Sequence, residues 1–238
     1  MNTIVRYCIV IILSICTIHT ELMAHNNVSG VTAMVESIHW IGHDCFKIMS
    51  NVIIYTDPFT IRKEDAADII LISHEHYDHC SPDDIYKICK KNTVIIATPD
   101  CVPKIKCNVK TIKPYETISV KGATIQAVPA YNINKQFHPK LKHWVGYIIT
   151  INNIRIYFAG DTDYITEMNS MKHIDIALLP ISGTYVMDVD EAVQATRAIK
   201  PKVVIPMHYG SIIGTIADAK RFEQILKNEV SVVIKETE

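Results

Sequence analysis

What this chain lacks most plainly is net charge. Across 238 residues, 24 lysines and arginines face 25 aspartates and glutamates, giving a formal charge of −1. No global field draws such a chain towards nucleic acid or an anionic membrane, so function has to be sought in local groups. Cysteine pairs are missing too. There is no CxxC, and Cys45, Cys80, Cys89, Cys101 and Cys107 are the five that follow the first 24 residues. An odd set leaves a thiol unpaired in a monomer, which reads as reduced or buried thiols and not as a disulfide framework. Low-complexity linkers and internal repeats are also absent. What is left is an ordinary globular composition, 48% hydrophobic and 21% charged, in a chain long enough for a sizeable core.

Nor does any apolar run reach a comfortable membrane span. The nearest candidate follows Arg6, from Tyr7 to Ile18, broken only by Ser14 and Thr17. That length suits the h-region of a signal peptide. Ala24 can precede a cleavage point, although Leu22 is a poor small residue two places earlier, and Cys16 after "LSI" is a weak lipoprotein match. Residues 1–24 are therefore expected to be a signal-peptide-like or anchor segment, with the protein secreted, periplasmic or tethered to a membrane through this segment alone. An over-extended start, with Met34 as the true one, and a cytoplasmic protein form the alternative.

The domain is expected over residues 35–238. "MVESIHWIGHDCFKIMS" and "NVIIYTDPF" read as strands running into a turn at Asp57-Pro58. "ADIILIS" is a continuous apolar run, as in a strand buried on both faces. In "SPDDIYKICKK", Ser81 is a good N-cap, Pro82 suits the first helical position and Asp84 completes a capping-box pattern. "TVIIAT", "VKTI" and "ATIQAVPA" read as strands, with a short helix around Cys101 to Ile105. "WVGYIITINNIRIYFAGDT" reads as a hairpin turning at Asn152-Asn153. "DIALLPI", the amphipathic "DVDEAVQATRAIK", "KVVIPMHY", a helix across Ala217 to Asn228, and "VSVVIK" complete the chain. Strands come first and helices are interleaved later, which favours a mixed α/β (α+β) domain with two packed sheets.

Chemistry concentrates between the buried "ADIILIS" strand and the helix after it. "HEHYDH", His74 to His79, holds three histidines and two acidic residues. His74 and His76 are two apart, so an extended backbone points both to one side, while Asp78 and His79 follow as the chain turns. Imidazole and carboxylate together suit Zn²⁺, and also Mn²⁺ or Fe²⁺. Asp161 in "FAGDTD" and His208 in "VIPMHYG" stand at strand ends beside glycine.

"HEHYDH", "GDTD" and "MHYG", in this order and at strand ends, resemble the metallo-β-lactamase-fold metallohydrolases over the span from Val35 to Lys235. "IHWIGHDCFKI" looks like the opening strands of the branch that includes ascorbate-phosphate lactonase and the phospholipase D acting on N-acyl phosphatidylethanolamines. The resemblance implies a four-layer αβ/βα sandwich with two metal ions, zinc by preference, along one edge. His74 and His76 would bind the first ion, Asp78, His79 and His208 the second, and Asp161 would bridge them. The family adds a histidine after the strand represented here by "IQAVPA", where this chain reads "AVPAYNINKQFHPK". Asn132 holds the usual position and binds zinc poorly. His138, six residues on, is the expected substitute; Asn132 itself, or a weak or empty position, is the alternative.

Two such ions hold a hydroxide near neutral pH and polarise the bond under attack, which implies hydrolysis of a lactone, ester or phosphodiester. Asp78 is the expected orienter and proton acceptor, against a plain helix-start carboxylate. Cys80 reads as a buried small hydrophobe, and His43 either lines the site or bonds between strands. Lys135, Lys140, Lys142 and His143 suggest a basic mouth for a small anionic substrate, against an ordinary solvated loop. Tyr131, Trp144 and Tyr185 are candidate pocket walls, or else core. No basic, aromatic-interleaved surface for nucleic acid appears. A di-iron redox enzyme would need an electron-delivery domain that does not fit. The remaining alternative is a non-catalytic metal-stabilised binding or sensor module.

Overall fold

The computed structural model describes residues 29–62 and 65–238. The leader expected at residues 1–24 lies outside them. Residues 29–36 are helical, so positions 34–36 are not the opening of a strand. Val31 and Met34, a helical step apart, are buried while Thr32 and Ala33 between them are exposed, and that periodicity overrides the β-branched residues nearby. Contacts divide the chain after Glu36, and the domain described below is Ser37–Glu238. Among the described residues no helix is long and apolar enough to cross a membrane.

Two mixed sheets form the domain. The first runs in spatial order β1 (Ile38–Gly42), β2 (Cys45–Met49), β3 (Ile53–Thr56), β4 (Ile69–Ile72), β5 (Val94–Ala97) and β6 (Val109–Thr111). The second begins with β7 (Thr117–Val120), β8 (Ala123–Pro129), β9 (Val145–Ile151) and β10 (Ile154–Phe158). It continues through β11 (Ile176–Pro180), β12 (Val203–Met207) and the short β13 (Ser231–Val232). Each sheet opens as an antiparallel meander and becomes parallel, from β3 in the first and from β10 in the second. The parallel strands β4 and β11 are buried at every position, as their unbroken apolar runs require. β7, with alternating half-burial, lies at the sheet edge and was not legible as a strand.

Helices cover the outer faces. α1 (Pro82–Ile88) sets Ile85 and Ile88 into a cluster with Tyr55, Ile70, Ile72 and Ile95 of the first sheet. α2 (Val189–Ile199) and α3 (Ile216–Leu226) pack on one another beside β11 and β13. The result is the helix–sheet–sheet–helix layering expected of the four-layer sandwich. The β9–β10 hairpin turns on Asn152 and Asn153, at φ 51° and 61°, the left-handed pair of a two-residue turn that asparagine tolerates. The short helix is a 3₁₀ segment, Pro99–Lys104. Cys45, Cys80 and Cys101 are buried thiols; Cys89 and Cys107 are half-buried with their sulfurs 3.1 Å apart.

Ser81 caps α1 by accepting from the Asp84 amide, but the reciprocal half of the box is redirected. The Asp84 carboxylate accepts instead from the Thr60 and Ile61 amides, both at 3.0 Å, from the Ser81 hydroxyl at 2.8 Å and from Lys87 at 2.9 Å. It thereby pins the loop after β3 to the start of the helix that follows the histidine cluster. Asp84→Ala is expected to lower the unfolding free energy by about 2 kcal/mol, because two amides lose a charged acceptor. A urea midpoint unchanged within error would refute that role.

Candidate metal centre

Every chemically distinctive loop leaves the carboxyl end of a strand, where open α/β sheets collect their sites. β3 ends into Asp57, β4 into Ser73 and the His74–His79 run, and β8 into the loop bearing Asn132 and His138. β10 leads to Asp161, β11 to Ser182, and β12 to His208; the β1–β2 turn adds His43 and Asp44. Gly146 on β9 makes room for one of these exits. A Cβ there would lie 2.5 Å from the Ala159 carbonyl oxygen and 2.6 Å from that of Phe158, so only glycine lets the chain leading to Asp161 pass.

Asp161 is the centre of convergence. Its Oδ2 lies 3.1 Å from His138 Nε2, 3.3 Å from His208 Nε2 and 3.4 Å from His79 Nε2. On one side of it, donor atoms of His74, His76 and His138 all fall within 4.8 Å of one another; on the other, those of His43, Asp78, His79 and His208 do. His74 Nε2 and His76 Nδ1 are 3.0 Å apart. The structure thus gathers all seven residues singled out in the sequence, His74, His76, Asp78, His79, His138, Asp161 and His208. Of the two candidates after β8, it is His138 whose ring reaches Asp161. Asn132 sits behind it, its Oδ1 accepting from the His138 amide at 3.0 Å and lying 3.1 Å from Nδ1.

The outer nitrogens explain the orientation. His79 Nδ1 donates to Asp57 Oδ2 at 2.8 Å, His74 Nδ1 lies 2.8 Å from Ser73 Oγ, and His208 Nδ1 lies 2.9 Å from Ser182 Oγ. Ser73 in turn donates from its hydroxyl to Asp57 Oδ2 at 2.5 Å and from its amide to Oδ1 at 2.7 Å. With Nδ1 so occupied, Nε2 of four histidines faces inwards, the arrangement by which outer partners fix a ligating tautomer. His79 Nε2, His138 Nε2 and Asp161 Oδ1 are buried without a hydrogen-bond partner. Buried polar atoms are rarely left so, and clustered inward-facing donors of this kind fit divalent cations.

Electrostatics separate the two sides. Burial opposes a charge on His79 and on His208, but Asp161 outweighs it. His79 is held well above the ordinary imidazole range and His208 is raised to about 9. Burial likewise opposes ionising Asp161, and His208 and His79 reverse it, holding that carboxyl well below its usual range. Burial, with His79 adding to it, pushes His74 well below its ordinary value, and burial also lowers His76. Asp78 reaches about 2 because the His43 hydrogen bond and His79 overcome its burial.

Three contributors were not legible as such. Asp57 looked like a turn residue and is a fully buried anchor for His79 and Ser73. Asp44, fully buried beside Asp161 and His208, has neither carboxyl oxygen hydrogen-bonded, and burial raises its pKa well above the usual range. His43 lines the site: its Nε2 donates to Asp78 Oδ2 at 3.1 Å, and its ring lies tilted against that of His208 with centroids 3.9 Å apart. Trp144 closes the other side, its ring 4.8 Å from those of His74 and His76. Cys80 is buried in the α1 cluster.

The basic loop reads differently in three dimensions. Lys135 pairs with Asp163 and Glu191, Lys140 with Glu167, and Lys142 with Glu75. None of the three lines the cavity over the centre. That cavity, about 250 Å³, is bounded by His76, Asp78, His138, Asp161 and His208 below and by Tyr77, Phe137, Tyr185 and Ile212 around the mouth.

Comparison with known proteins agrees with the geometry. The family model for the β-lactamase superfamily domain matches residues 37–208, and the chain belongs to that superfamily. A UPF0173 metal-dependent hydrolase from Thermoplasma volcanium is 34% identical over 203 residues, covering 79% of this chain and 90% of the relative. The crystal structure of a protein described as a metal-dependent hydrolase from Parabacteroides distasonis is 36% identical, with a TM-score of 0.75 over 84% of this chain and 93% of that one. A diiron β-hydroxylase from Streptomyces venezuelae shares the fold at 12% identity and a TM-score of 0.69, over 84% of this chain and 52% of its own.

Neutral imidazole is the ligating form, so a cation entering beside Asp161 has to displace the protons that Asp161 holds on His79 and His208. Because both pKa values are raised, those protons compete throughout the neutral range, and more strongly as pH falls. Metal uptake at neutral pH is expected to release roughly one to two protons per chain. Calorimetric titration in two buffers of different ionisation enthalpy reads this directly; identical heats in both would contradict it.

Proposed function

We propose that the chain is a binuclear metallohydrolase, zinc-dependent by preference, that cleaves a lactone, ester or phosphodiester. The observation that carries this reading is the inward turn of four histidine Nε2 atoms and the buried carboxylate of Asp161 between two donor groups. His74, His76 and His138 would hold one ion, Asp78, His79 and His208 the other, and Asp161, within reach of both groups, would be shared. The all-nitrogen-and-oxygen donor set suits Zn²⁺, and Mn²⁺ or Fe²⁺ fit the same chemistry. Bound ions of this kind supply Lewis acidity at the scissile carbonyl or phosphoryl and lower the pKa of an attacking water.

The rest of the chemistry belongs to the chain. Asp78 is the carboxylate of the second group that faces the cavity, and its side chain is 15% exposed, whereas that of Asp161 is 4% exposed. It is therefore placed to orient the attacking water and to accept its proton. His43 holds the Asp78 carboxylate from behind. Trp144 and the His138 loop keep bulk water from the first group, and Asn132 keeps the His138 ring aimed at Asp161.

Elemental analysis of metal per chain tests the ligand assignment. His138→Ala is expected to lose about one ion of two, whereas Asn132→Ala, which removes only an orienting oxygen, should lose less. Equal losses would place Asn132 among the ligands. Asp78→Asn is expected to lower kcat by about 10²–10⁴-fold on whichever ester, lactone or phosphodiester is turned over. Full metal content with no turnover by the wild type across that panel would instead favour a non-catalytic binding module.

A further inference from the structure

The mouth of the cavity carries information on substrate that the metal donors do not. Four residues from four loops surround it: Tyr77 beside the first histidines, Phe137 before His138, Tyr185 after β11 and Ile212 after β12, the first two backed by aromatic neighbours. Phe137 meets Tyr185 edge to face at 4.6 Å, and Tyr77 meets Phe59 at 5.9 Å. These are not core side chains. Tyr77 is 68% exposed, Phe137 45% and Ile212 40%. Single exposed hydrophobics are unremarkable, but several converging from separate loops on one cavity mark a surface that something apolar covers.

The charges agree. Among the described residues no lysine or arginine lines the cavity, and apart from the phenols of Tyr77 and Tyr185 its ionisable members are the donors themselves, Asp78 and Asp161 among them. The nearby lysines of the His138 loop are each engaged by a carboxylate elsewhere. An anionic group seated at the mouth, away from the metal donors, would thus lose its water against aromatic and aliphatic side chains and meet no cationic side chain there, a costly exchange. An alkyl or aryl group would bury its own surface and theirs together.

Resting on the hydrolase reading above, we propose that the substrate is an uncharged carboxylic ester or lactone bearing an aromatic or branched alkyl group, which seats against Phe137, Tyr77 and Ile212. Those three residues select the substrate; they take no part in the bond change.

The test uses Zn²⁺-reconstituted protein and two amide probes of similar size that the enzyme need not cleave: para-tert-butyl butyranilide and para-sulfonato butyranilide. By calorimetric titration the tert-butyl probe is expected to bind roughly tenfold or more tightly than the sulfonate. Phe137→Lys should shrink or invert that ratio, while Leu141→Lys, at a position 88% exposed and off the cavity lining, should leave it unchanged. Equal or tighter binding of the sulfonate by the wild type, or indifference to Phe137→Lys, overturns the proposal. The corresponding phenyl butyrates, with bis(para-nitrophenyl) phosphate, are assayed in parallel. Turnover with the sulfonated ester or the phosphodiester preferred sinks the proposal and leaves the hydrolase standing. An intact preference in binding with no turnover of any of them supports the apolar seat and removes the hydrolase reading.

Discussion

One carboxylate oxygen organises this molecule. Asp161 Oδ2 lies within 3.4 Å of three imidazole nitrogens, and its side chain is almost wholly buried. An isolated carboxylate at that depth would cost several kcal/mol, and only cations or hydrogen-bond donors around it can offset the loss. The three histidines that surround it arrive on loops after β4, β8 and β12, from both sheets. Meeting the need of one buried charge therefore fixes where both sheet edges lie relative to each other.

A second carboxylate holds that arrangement from outside. Asp57 takes the Ser73 amide and hydroxyl and His79 Nδ1, while Ser73 meets His74 Nδ1, so one fully buried side chain sets the aim of two rings. The backbone is bent to make this possible. His43, Asp57 and His208 all stand in the left-handed region, at φ 52°, 33° and 59°. Non-glycine residues there cost of order 1 kcal/mol or more each, and such strain persists only where surrounding bonds over-determine it. Here the surrounding bonds are those of the site itself.

The legibility of the sequence follows the same division. "HEHYDH", "GDTD" and "MHYG" could be read because ligand-type residues cluster at the ends of apolar strands, and the Asn152-Asn153 hairpin because its turn chemistry is local. Asp57 and Asp44 could not, since a lone aspartate at a strand end looks like any turn residue until its distant partners are known. The choice between Asn132 and His138 depended on a loop folding back, with the Asn132 amide donating to the His138 carbonyl at 2.7 Å, which spacing alone does not reveal. The lysines of that loop were visible as a basic stretch. Their partners Glu75, Glu167 and Glu191 are remote in the chain, and so the pairing was not visible.

The spread of donors from His43 to His208 also bears on the order in which the molecule comes together. No local segment holds more than part of either donor group, and each is complete only after the two sheets have docked. A cation that needs the whole set is gripped in full only by the folded domain, so whatever binding energy it brings is added to the stability of the folded state. The centre is in that sense a latch between the two sheets.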